Sequence, residues 1–344
     1  MNAASRSTRR DVGSRQSRFH SAHFPLLASL VTLLLVHPTS ADELPTTRVV
    51  RVTSSLDDSE QPSRLWVPDR ASRSKTPLLV YLHSWSGDYR QNNSPWLAEA
   101  VRRGWIFLHP DFRGRNDHPE ACGSELARQD VLDAIDHVSR KYRVDSRRIY
   151  LAGTSGGGHM AMLMAGWHPK RFSAVSAWVG ISDLGAWYRF HVKDGEPQNY
   201  ARMILSCLGG PPGTSKQLDR RYRDRSPLFH LARARDVPLD LNAGVLDGKT
   251  GSVRIHHTLW AWNVVARARK DSPITEAEID QLWTNGRLGQ PRAGEGETDP
   301  EYGRTVHLRR HSGKSRVTIF EGGHEGLAPA ACAWLARQRR RTRK

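Results

Sequence analysis

The chain has 344 residues and a formal net charge of +17, and it contains neither an internal repeat nor a low-complexity segment. The basic charge is concentrated at the two ends. Five arginines against Asp11 give the first 41 residues +4, six basic side chains give residues 337–344 +6, and +7 is left between. No base-stacking aromatics are interleaved with the C-terminal tail, so the charge does not indicate a nucleic-acid-binding protein. We expect the tail to be a solvated end, with attraction to an anionic polysaccharide as the alternative.

The N-terminus has the pattern of a secretory signal. Five arginines fall within residues 1–18, an apolar run follows at residues 24–36, and small residues precede Asp42. This order matches the basic region, hydrophobic region and cleavage site of a signal peptide, and the run is too short for a transmembrane span. We therefore expect a secreted or periplasmic protein with no stable membrane insertion after residues 1–41 are removed. A membrane-anchoring segment is the alternative.

Apolar strand patterns alternate with helical patterns along the rest of the chain. About 300 residues suit one α/β domain with insertions, and such a chain can bury a full core. The helical pattern at residues 125–142 carries an apolar stripe that faces a core. This alternation predicts a mostly parallel sheet flanked by helices on both faces. The predicted strands are residues 78–82, 105–108, 149–152, 174–179, 239–243 and 317–320.

The most informative motif follows the third of these strands. Gly153-Thr154-Ser155-Gly156-Gly157 is a G-x-S-x-G turn, and a helical pattern continues from residue 160 to residue 167. A turn of this kind between a strand and a helix exposes a serine hydroxyl at the edge of a sheet. Ser155 is therefore the candidate nucleophile, and a glycine-rich turn without chemistry is the alternative.

A nucleophilic serine needs a histidine base that is oriented by a carboxylate, and in this architecture the acid precedes the histidine in the chain. His324 follows the last predicted strand within a glycine-flanked loop, so it is the candidate base. Asp247 follows the strand at residues 239–243 and is the candidate acid, although Asp-Gly is also a common turn dipeptide. Asp240 competes by position but lies inside the strand pattern, and Glu325 is expected to point elsewhere.

Two backbone N–H groups must stabilise the oxyanion of such a reaction. The first is expected from Gly156, the residue after the nucleophile. The second is expected from the loop after the strand at residues 78–82, which reads His83-Ser84-Trp85-Ser86-Gly87. The Trp85 amide is the predicted donor in this loop.

These residues together resemble the prolyl oligopeptidase-type branch of the α/β-hydrolases in its compact form. The resemblance covers residues 76–335 and places the acid motif on Ala243 to Val253 and the histidine in Gly323-His324-Glu325. It implies an α/β-hydrolase fold and a cofactor-independent serine hydrolase with serine-type peptidase activity. The family also includes carboxylic and carbohydrate esterases, so an acetylxylan-type esterase is the alternative. The length leaves no room for the β-propeller of true oligopeptidases.

The predicted domain organisation is a signal peptide at residues 1–41, a catalytic domain at residues 42–338 and a basic tail at residues 339–344. Two segments, at about residues 183–224 and 272–312, are expected to form cap insertions at the carboxyl ends of the strands, where ligands bind in open α/β sheets. Trp187 and Tyr188 in the first segment could offer an aromatic platform, or they could simply pack the cap against the sheet. His118 lies in a polar loop that is expected to line the mouth of the pocket.

The cysteines and histidines give weaker indications. Cys122 and Cys207 lie in loop-like segments and are the expected disulfide pair in an oxidising compartment, with Cys332 left over; three unpaired thiols are the alternative. His256 and His257 lack an i,i+4 partner, so no metal site is expected there. The sequence thus predicts a secreted serine hydrolase that cleaves an ester or peptide bond, with a polysaccharide-linked substrate as one of the alternatives. A catalytically silent binding module with a basic surface is the rival hypothesis.

Overall fold

The computed structural model describes residues 44–340. Ten strands form one sheet, and two short strands, β7 and β8, form a separate hairpin. In chain order the strands are β1 (Arg48–Thr53), β2 (Glu60–Trp66), β3 (Thr76–Leu82), β4 (Ile106–Pro110), β5 (Val144–Thr154), β6 (Ala174–Trp178), β7 (Val192–Lys193), β8 (Glu196–Pro197), β9 (Leu239–Gly244), β10 (Glu297–Asp299), β11 (Arg304–Ser312) and β12 (Ser315–Phe320). The α-helices are α1 (Ser94–Arg103), α2 (Glu125–Lys141), α3 (Gly156–Trp167), α4 (Leu184–Phe190), α5 (Asn199–Leu208), α6 (Lys216–Asp224), α7 (His256–Ala268), α8 (Glu276–Asn285) and α9 (Ala328–Ala336).

The large sheet is parallel at its centre and antiparallel at its edges. Its strand order is β1-β2-β4-β3-β5-β6-β9-β12-β11-β10, and the six strands from β4 to β12 run parallel. Every residue of β3, β4, β6, β9 and β12 is buried. Parallel strands of this kind are apolar on both faces because helices cover both sides. The predicted α/β-hydrolase fold is confirmed, and the carboxyl ends of these strands meet at one edge.

Both edges of the sheet contain strands that the sequence did not indicate. The β1–β2 hairpin precedes the first predicted strand. At the other edge, β11 pairs with β12 and β10 pairs with β11, so residues 297–312 extend the sheet instead of forming a second cap. Residues 297–312 of the expected cap at residues 272–312 are therefore part of the sheet. The charged residues of this segment suggested a loop, but in β11 they alternate with the buried Val306 and Leu308, as on an edge strand.

The first predicted insertion contains α4, the β7–β8 hairpin, α5 and α6, and we refer to these elements as the cap. The Asp183 carboxylate accepts the Gly185 and Ala186 N–H groups at 2.8 and 3.0 Å and so begins α4. Apolar side chains of α4 and α5 then pack with Trp85 in a cluster separate from the main core. We call this group the cap cluster; its buried members include Leu184, Trp187, Met203, Ile204 and Leu208.

The cysteine prediction was wrong. Cys122, Cys207 and Cys332 are all free and buried. Cys122 and Cys207 share the cap cluster, and the adjacent Cys122 thiol raises the pKa of Cys207.

The backbone at the beginning of the basic tail is hydrogen-bonded to the domain, while the side chains of Arg337 and Arg339 are exposed. The Tyr150 hydroxyl donates to the Gln338 carbonyl at 2.8 Å, and the Arg340 N–H donates to the Arg147 carbonyl at 3.0 Å. Arg337 forms an ion pair with Glu301 at 2.5 Å. The rest of the tail and the predicted signal peptide lie outside the described residues.

Candidate active site

Ser155 lies in a sharp turn between β5 and α3, with φ 60° and ψ −119°. This conformation is unfavourable for a residue with a Cβ and costs on the order of 1–3 kcal/mol. The turn is possible because its neighbours are glycines. A Cβ on Gly157 would overlap the Leu82 carbonyl oxygen, and one on Gly158 would lie 2.6 Å from the Trp178 carbonyl oxygen. The strand-to-helix turn thus holds the Ser155 hydroxyl at the carboxyl edge of the sheet.

The structure brings Ser155, His324 and Asp247 together. His324 Nε2 lies 2.8 Å from Ser155 Oγ, and His324 Nδ1 lies 2.9 Å from Asp247 Oδ1. Since a carboxylate oxygen can only accept, Nδ1 carries the proton and Nε2 is the nitrogen that faces the serine hydroxyl. This is the nucleophile–base–acid arrangement that activates a serine.

Asp247 is fully buried in the turn after β9. Its Oδ1 also accepts the Gly248 N–H at 2.9 Å and the Val253 N–H at 3.2 Å, which fixes the carboxylate. Gly251 passes so close that a Cβ there would overlap Asp247 Oδ1 and lie 2.7 Å from His324 Cβ. A residue larger than glycine at this position would separate the acid from the base.

The two competing carboxylates have other partners. Asp240 is the second residue of β9, at the opposite end of the strand from Asp247, and it pairs with Arg316 at 2.7 Å. Glu325 points away from the site and binds Arg304 at 2.6 Å. Within the described residues, neither carboxylate forms a hydrogen bond with the His324 imidazole.

The predicted oxyanion donors are the backbone N–H groups of Gly156 and Trp85. Gly156 is the first residue of α3, where an N–H has no partner within the helix. Its Cα side packs directly on the Trp85 backbone, since a Cβ on Gly156 would overlap the Trp85 nitrogen. Both predicted oxyanion donors, Gly156 and Trp85, therefore come from backbone segments in contact with each other.

A cleft of about 370 Å³ opens beside Ser155 and His324. Its walls carry hydroxyls, amides and aromatic rings, and among its described lining residues there is no Lys, Arg, Asp or Glu. Besides Ser155 and His324 these are Tyr81, Ser84, Trp85, Ser86, Gln91, Asn92, Asn93, Pro95, Trp96, Thr154, Tyr200 and Gly326. The ring of Tyr81 stacks on Trp96 with centroids 4.4 Å apart, which gives one wall an aromatic surface. This cleft is suited to an uncharged polar ligand.

The three residues predicted to bind substrate do not line this cleft. Trp187 is fully buried in the cap cluster, and Tyr188 packs against the same cluster. His118 Nε2 lies 2.9 Å from the Arg113 carbonyl. Tyr200, which packs on Trp187 with centroids 5.0 Å apart, provides the aromatic ring of the cap instead. No pattern in the sequence distinguished Tyr200 from the other aromatic residues of the cap.

The cap is hydrogen-bonded to the loop that carries the acid. Trp187 Nε1 donates to the Ser252 carbonyl at 2.8 Å, and His191 Nε2 lies 2.9 Å from the same oxygen. The Ser252 hydroxyl is 3.5 Å from His324 Nε2. One loop thus contacts the cap through its backbone and the histidine through its side chain.

The two histidines of α7 belong to the packed interior of the domain. His256 and His257 are buried, and burial lowers their pKa values to about 4 and about 3. Within residues 44–340 no group of three or more His, Cys, Asp or Glu side chains could hold a metal ion. The helices of that same region include none that is both long and apolar enough to cross a bilayer.

Comparison with known proteins relates the chain to serine hydrolases. Residues 91–259 match the prolyl oligopeptidase family. The chain is 29% identical over 131 residues to a feruloyl esterase B of Neurospora crassa, and the match covers 34% of this chain and 43% of that protein. It is 24% identical over 257 residues to a feruloyl esterase B of Talaromyces stipitatus, with 70% of this chain and 63% of that protein covered.

The fold is similar to that of an acylaminoacyl peptidase from Pyrococcus horikoshii, with a TM-score of 0.55 and 22% identity. This similarity covers 67% of the present chain and 36% of the peptidase. The chain thus spans about two thirds or less of each of these proteins.

Proposed function

We propose that the chain, whose residues 91–259 match the prolyl oligopeptidase family, is a serine hydrolase that cleaves carboxylic esters of uncharged polar substrates through an acyl-enzyme on Ser155. His324 is the general base and acid in this proposal, and Asp247 is the group that orients it. The supporting observation is the chain of two hydrogen bonds, 2.8 and 2.9 Å long, that joins the three side chains beside a cleft lined by uncharged groups.

Acylation begins when Ser155 Oγ attacks the ester carbonyl carbon and His324 Nε2 accepts the hydroxyl proton. The carbonyl oxygen becomes an oxyanion that the Gly156 and Trp85 N–H groups stabilise. The imidazolium then donates its proton to the leaving alkoxide as the tetrahedral intermediate collapses. Asp247 keeps the Nδ1 proton in place and stabilises the imidazolium, and it does not itself become protonated.

Deacylation repeats these steps with water. His324 Nε2 accepts a proton from a water molecule, which attacks the acyl carbon. The second tetrahedral intermediate uses the same two N–H donors and collapses when Ser155 Oγ leaves with the proton from His324. Carboxylic acid is released, and the resting protonation state is restored.

The chemistry of the cleft favours an ester on a neutral carrier such as a carbohydrate. Amides and hydroxyls, including those of Ser86 and Asn92, can bind sugar hydroxyls, and the partly exposed Tyr200 ring can pack on a sugar or an aromatic acyl group. A free amino terminus needs a carboxylate partner when it is desolvated, and the lining residues described for this cleft include none. The two feruloyl esterase relatives support the same choice.

Peptide bond cleavage is the second candidate. The same uncharged cleft could accept an amino acid whose amine is blocked by an acyl group, and a protein with a similar fold is an acylaminoacyl peptidase. The described lining residues offer no carboxylate partner to the charged amine of a free N-terminus. Blocked and free peptides therefore separate this candidate from an ordinary aminopeptidase.

Labelling with a fluorophosphonate tests whether Ser155 is the nucleophile. We expect the wild type to be labelled and Ser155→Ala to lose the label. The matched control is Ser206→Ala, because Ser206 is an exposed serine on α5 that binds only the Arg202 carbonyl at 3.1 Å. Folded wild type without label, or equal labelling of both variants, would refute the proposed nucleophile.

A panel of substrates separates the two candidates. It contains acetylated xylan, a feruloyl aryl ester, an N-acetyl amino acid anilide and the same anilide with a free amine. The proposal predicts that kcat/KM is highest for the two esters. Preferred turnover of the blocked anilide would establish the peptidase instead.

We also propose that the protein is exported. The support is the arginine-rich start, the apolar run at residues 24–36 and the small residues before Asp42. Expression with residues 1–41 intact should yield a processed protein in the periplasm or medium, and mass spectrometry should find a mature N-terminus near Asp42. A cell-retained, unprocessed protein would contradict this proposal.

A further inference from the structure

We propose that Gln91 is a positioning residue for the oxyanion site, which it holds in place through Ser84. This inference rests on the proposed function, because it concerns the N–H group of Trp85. Gln91 lies in the loop before α1 and lines the cleft without contacting Ser155, His324 or Asp247. Its side chain belongs to a hydrogen-bonded chain that connects the oxyanion loop to the ends of β3 and β4.

The Gln91 side-chain oxygen accepts two hydrogen bonds from Ser84. The Ser84 N–H donates to Oε1 at 2.8 Å, and the Ser84 hydroxyl donates to the same atom at 2.9 Å. Ser84 is thus held at its backbone and at its side chain by one acceptor. The loop has no regular secondary structure of its own to fix this residue, so Gln91 supplies the constraint.

The peptide group that joins Ser84 to Trp85 is held through its carbonyl oxygen. The Ser84 carbonyl accepts the Gly87 N–H at 3.1 Å, and His83 Nδ1 lies 2.9 Å from it. Since the N–H and C=O of a trans peptide point in opposite directions, these contacts aim the Trp85 N–H away from Gly87. No acceptor in the described part of the chain receives this N–H, so it is available to a ligand.

Gln91 is fixed in turn by two buried side chains. Its Nε2 donates to Asn93 Oδ1 at 3.2 Å, and Asn93 Nδ2 donates to His109 Nε2 at 3.0 Å. His109 Nδ1 donates to the Tyr81 carbonyl at 2.7 Å, at the end of β3. Burial lowers the pKa of His109 to about 4, so the ring is neutral near pH 7 and Nε2 can accept.

Every hydrogen bond in this chain has one possible direction. His109 must donate through Nδ1 because its partner is a carbonyl, so its Nε2 must accept from the Asn93 amide nitrogen. Asn93 Oδ1 then faces the Gln91 amide nitrogen, which turns Gln91 Oε1 toward Ser84. The rigid ends of β3 and β4 thereby determine the orientation of the oxyanion loop.

Displacement of the Trp85 N–H should change kcat much more than KM. An oxyanion donor acts mainly on the charge that develops in the transition state, so a displaced donor lowers kcat with little effect on KM. Complete loss of one donor costs about 100- to 1,000-fold in kcat. Because removal of Gln91 displaces the Trp85 N–H and does not delete it, we expect a fall of about 10- to 100-fold.

The test compares Gln91→Leu with Gln91→Glu in hydrolysis of an aryl ester. Leucine removes the acceptor. Glutamate retains an oxygen that can accept both Ser84 donors, but it replaces the amide donor to Asn93 Oδ1 with a second carboxylate oxygen. We expect Gln91→Leu to lower kcat about 10- to 100-fold with KM changed by less than about 2-fold, and Gln91→Glu to recover part of that loss. The inhibition constant of a phenylboronic acid, whose adduct on Ser155 resembles the tetrahedral intermediate, should rise for Gln91→Leu by a factor similar to the loss in kcat.

Gln281→Leu is the matched control. The Gln281 side-chain oxygen also accepts a loop N–H, that of Gly289 at 2.8 Å, but it lies on α8 away from the cleft. Its kcat should equal that of the wild type. Wild-type kcat in Gln91→Leu, or a loss that appears in KM and is not recovered by glutamate, would overturn the positioning role. A wild type without any turnover would instead refute the proposed function, and the role of Gln91 with it.

Discussion

The strained backbone of Ser155 predicts that this serine is retained at the expense of stability. A residue with a Cβ at φ 60° and ψ −119° carries about 1–3 kcal/mol of strain, which glycine does not. Glycine in turn loses about 0.5–1 kcal/mol through the greater freedom of its unfolded chain. The difference leaves Ser155→Gly more stable than Ser155→Ala by about 1 kcal/mol, with an upper limit of about 2.5 kcal/mol.

Ser155→Ala is the reference because it removes the hydroxyl and its hydrogen bond to His324 but keeps the Cβ and the strain. Equilibrium unfolding in urea should give Ser155→Gly a higher midpoint at an unchanged slope. Both variants should be inactive toward esters. A midpoint for Ser155→Gly equal to or below that of Ser155→Ala would show that the turn stores no strain, and the reasoning would fail.

Three further predictions concern the acid, the glycine beside it and a buried histidine. Asp247→Asn should lower kcat by about 10⁴-fold while the urea midpoint changes little. Asp240→Ala removes the nearest carboxylate partner of the buried Arg316 and leaves Glu301 at 3.7 Å as a weaker one, so it should instead lower the free energy of unfolding by about 3 kcal/mol. A large loss of kcat in Asp240→Ala together with normal kcat in Asp247→Asn would show that Asp240 is the acid. Gly251→Ala should lower kcat by separating the acid from the base, and Gly289→Ala, where a Cβ meets its nearest neighbour at 3.5 Å, should not; equal rates would contradict the close packing. Burial lowers the pKa of His159 to about 4, so below its unfolded pKa of about 6.5 only the unfolded state takes up the proton, and stability falls as the pH drops. His159→Gln should therefore lose about 1 kcal/mol less than the wild type between pH 7.5 and pH 5.5 in urea unfolding, and an unchanged pH dependence would be inconsistent with a neutral buried ring.

The sequence predicted the centre of the fold because its signals are local. Each buried parallel strand is a short apolar run, and the turn at Ser155 needs glycines that are visible in the sequence. Asp247 and His324 follow their strands directly, so the sheet alone brings them to the same edge. The observed distances agree with this placement, and their catalytic roles stay a prediction until the variants are measured.

The walls of the cleft could not be predicted because they depend on packing between distant segments. Trp187 was expected at the surface of the pocket, but the cap closes over its indole and exposes Tyr200 instead. The role of Gln91 depends on contacts with Ser84 and Asn93 that no periodic pattern records. In β11, alternating charged residues resembled a loop because an edge strand has one polar face.

The hydrogen bonds from Trp187 and His191 to the Ser252 carbonyl limit how this protein can evolve or be engineered. Exchange of the cap for that of a relative would leave the Ser252 carbonyl without its two donors and release the loop that touches His324. Under the proposed function, a change of the cap would therefore alter substrate preference and turnover rate together. A cap from a relative would need an indole and an imidazole that can donate to the Ser252 carbonyl. Otherwise the loop that contains Ser252 would have to be exchanged with the cap.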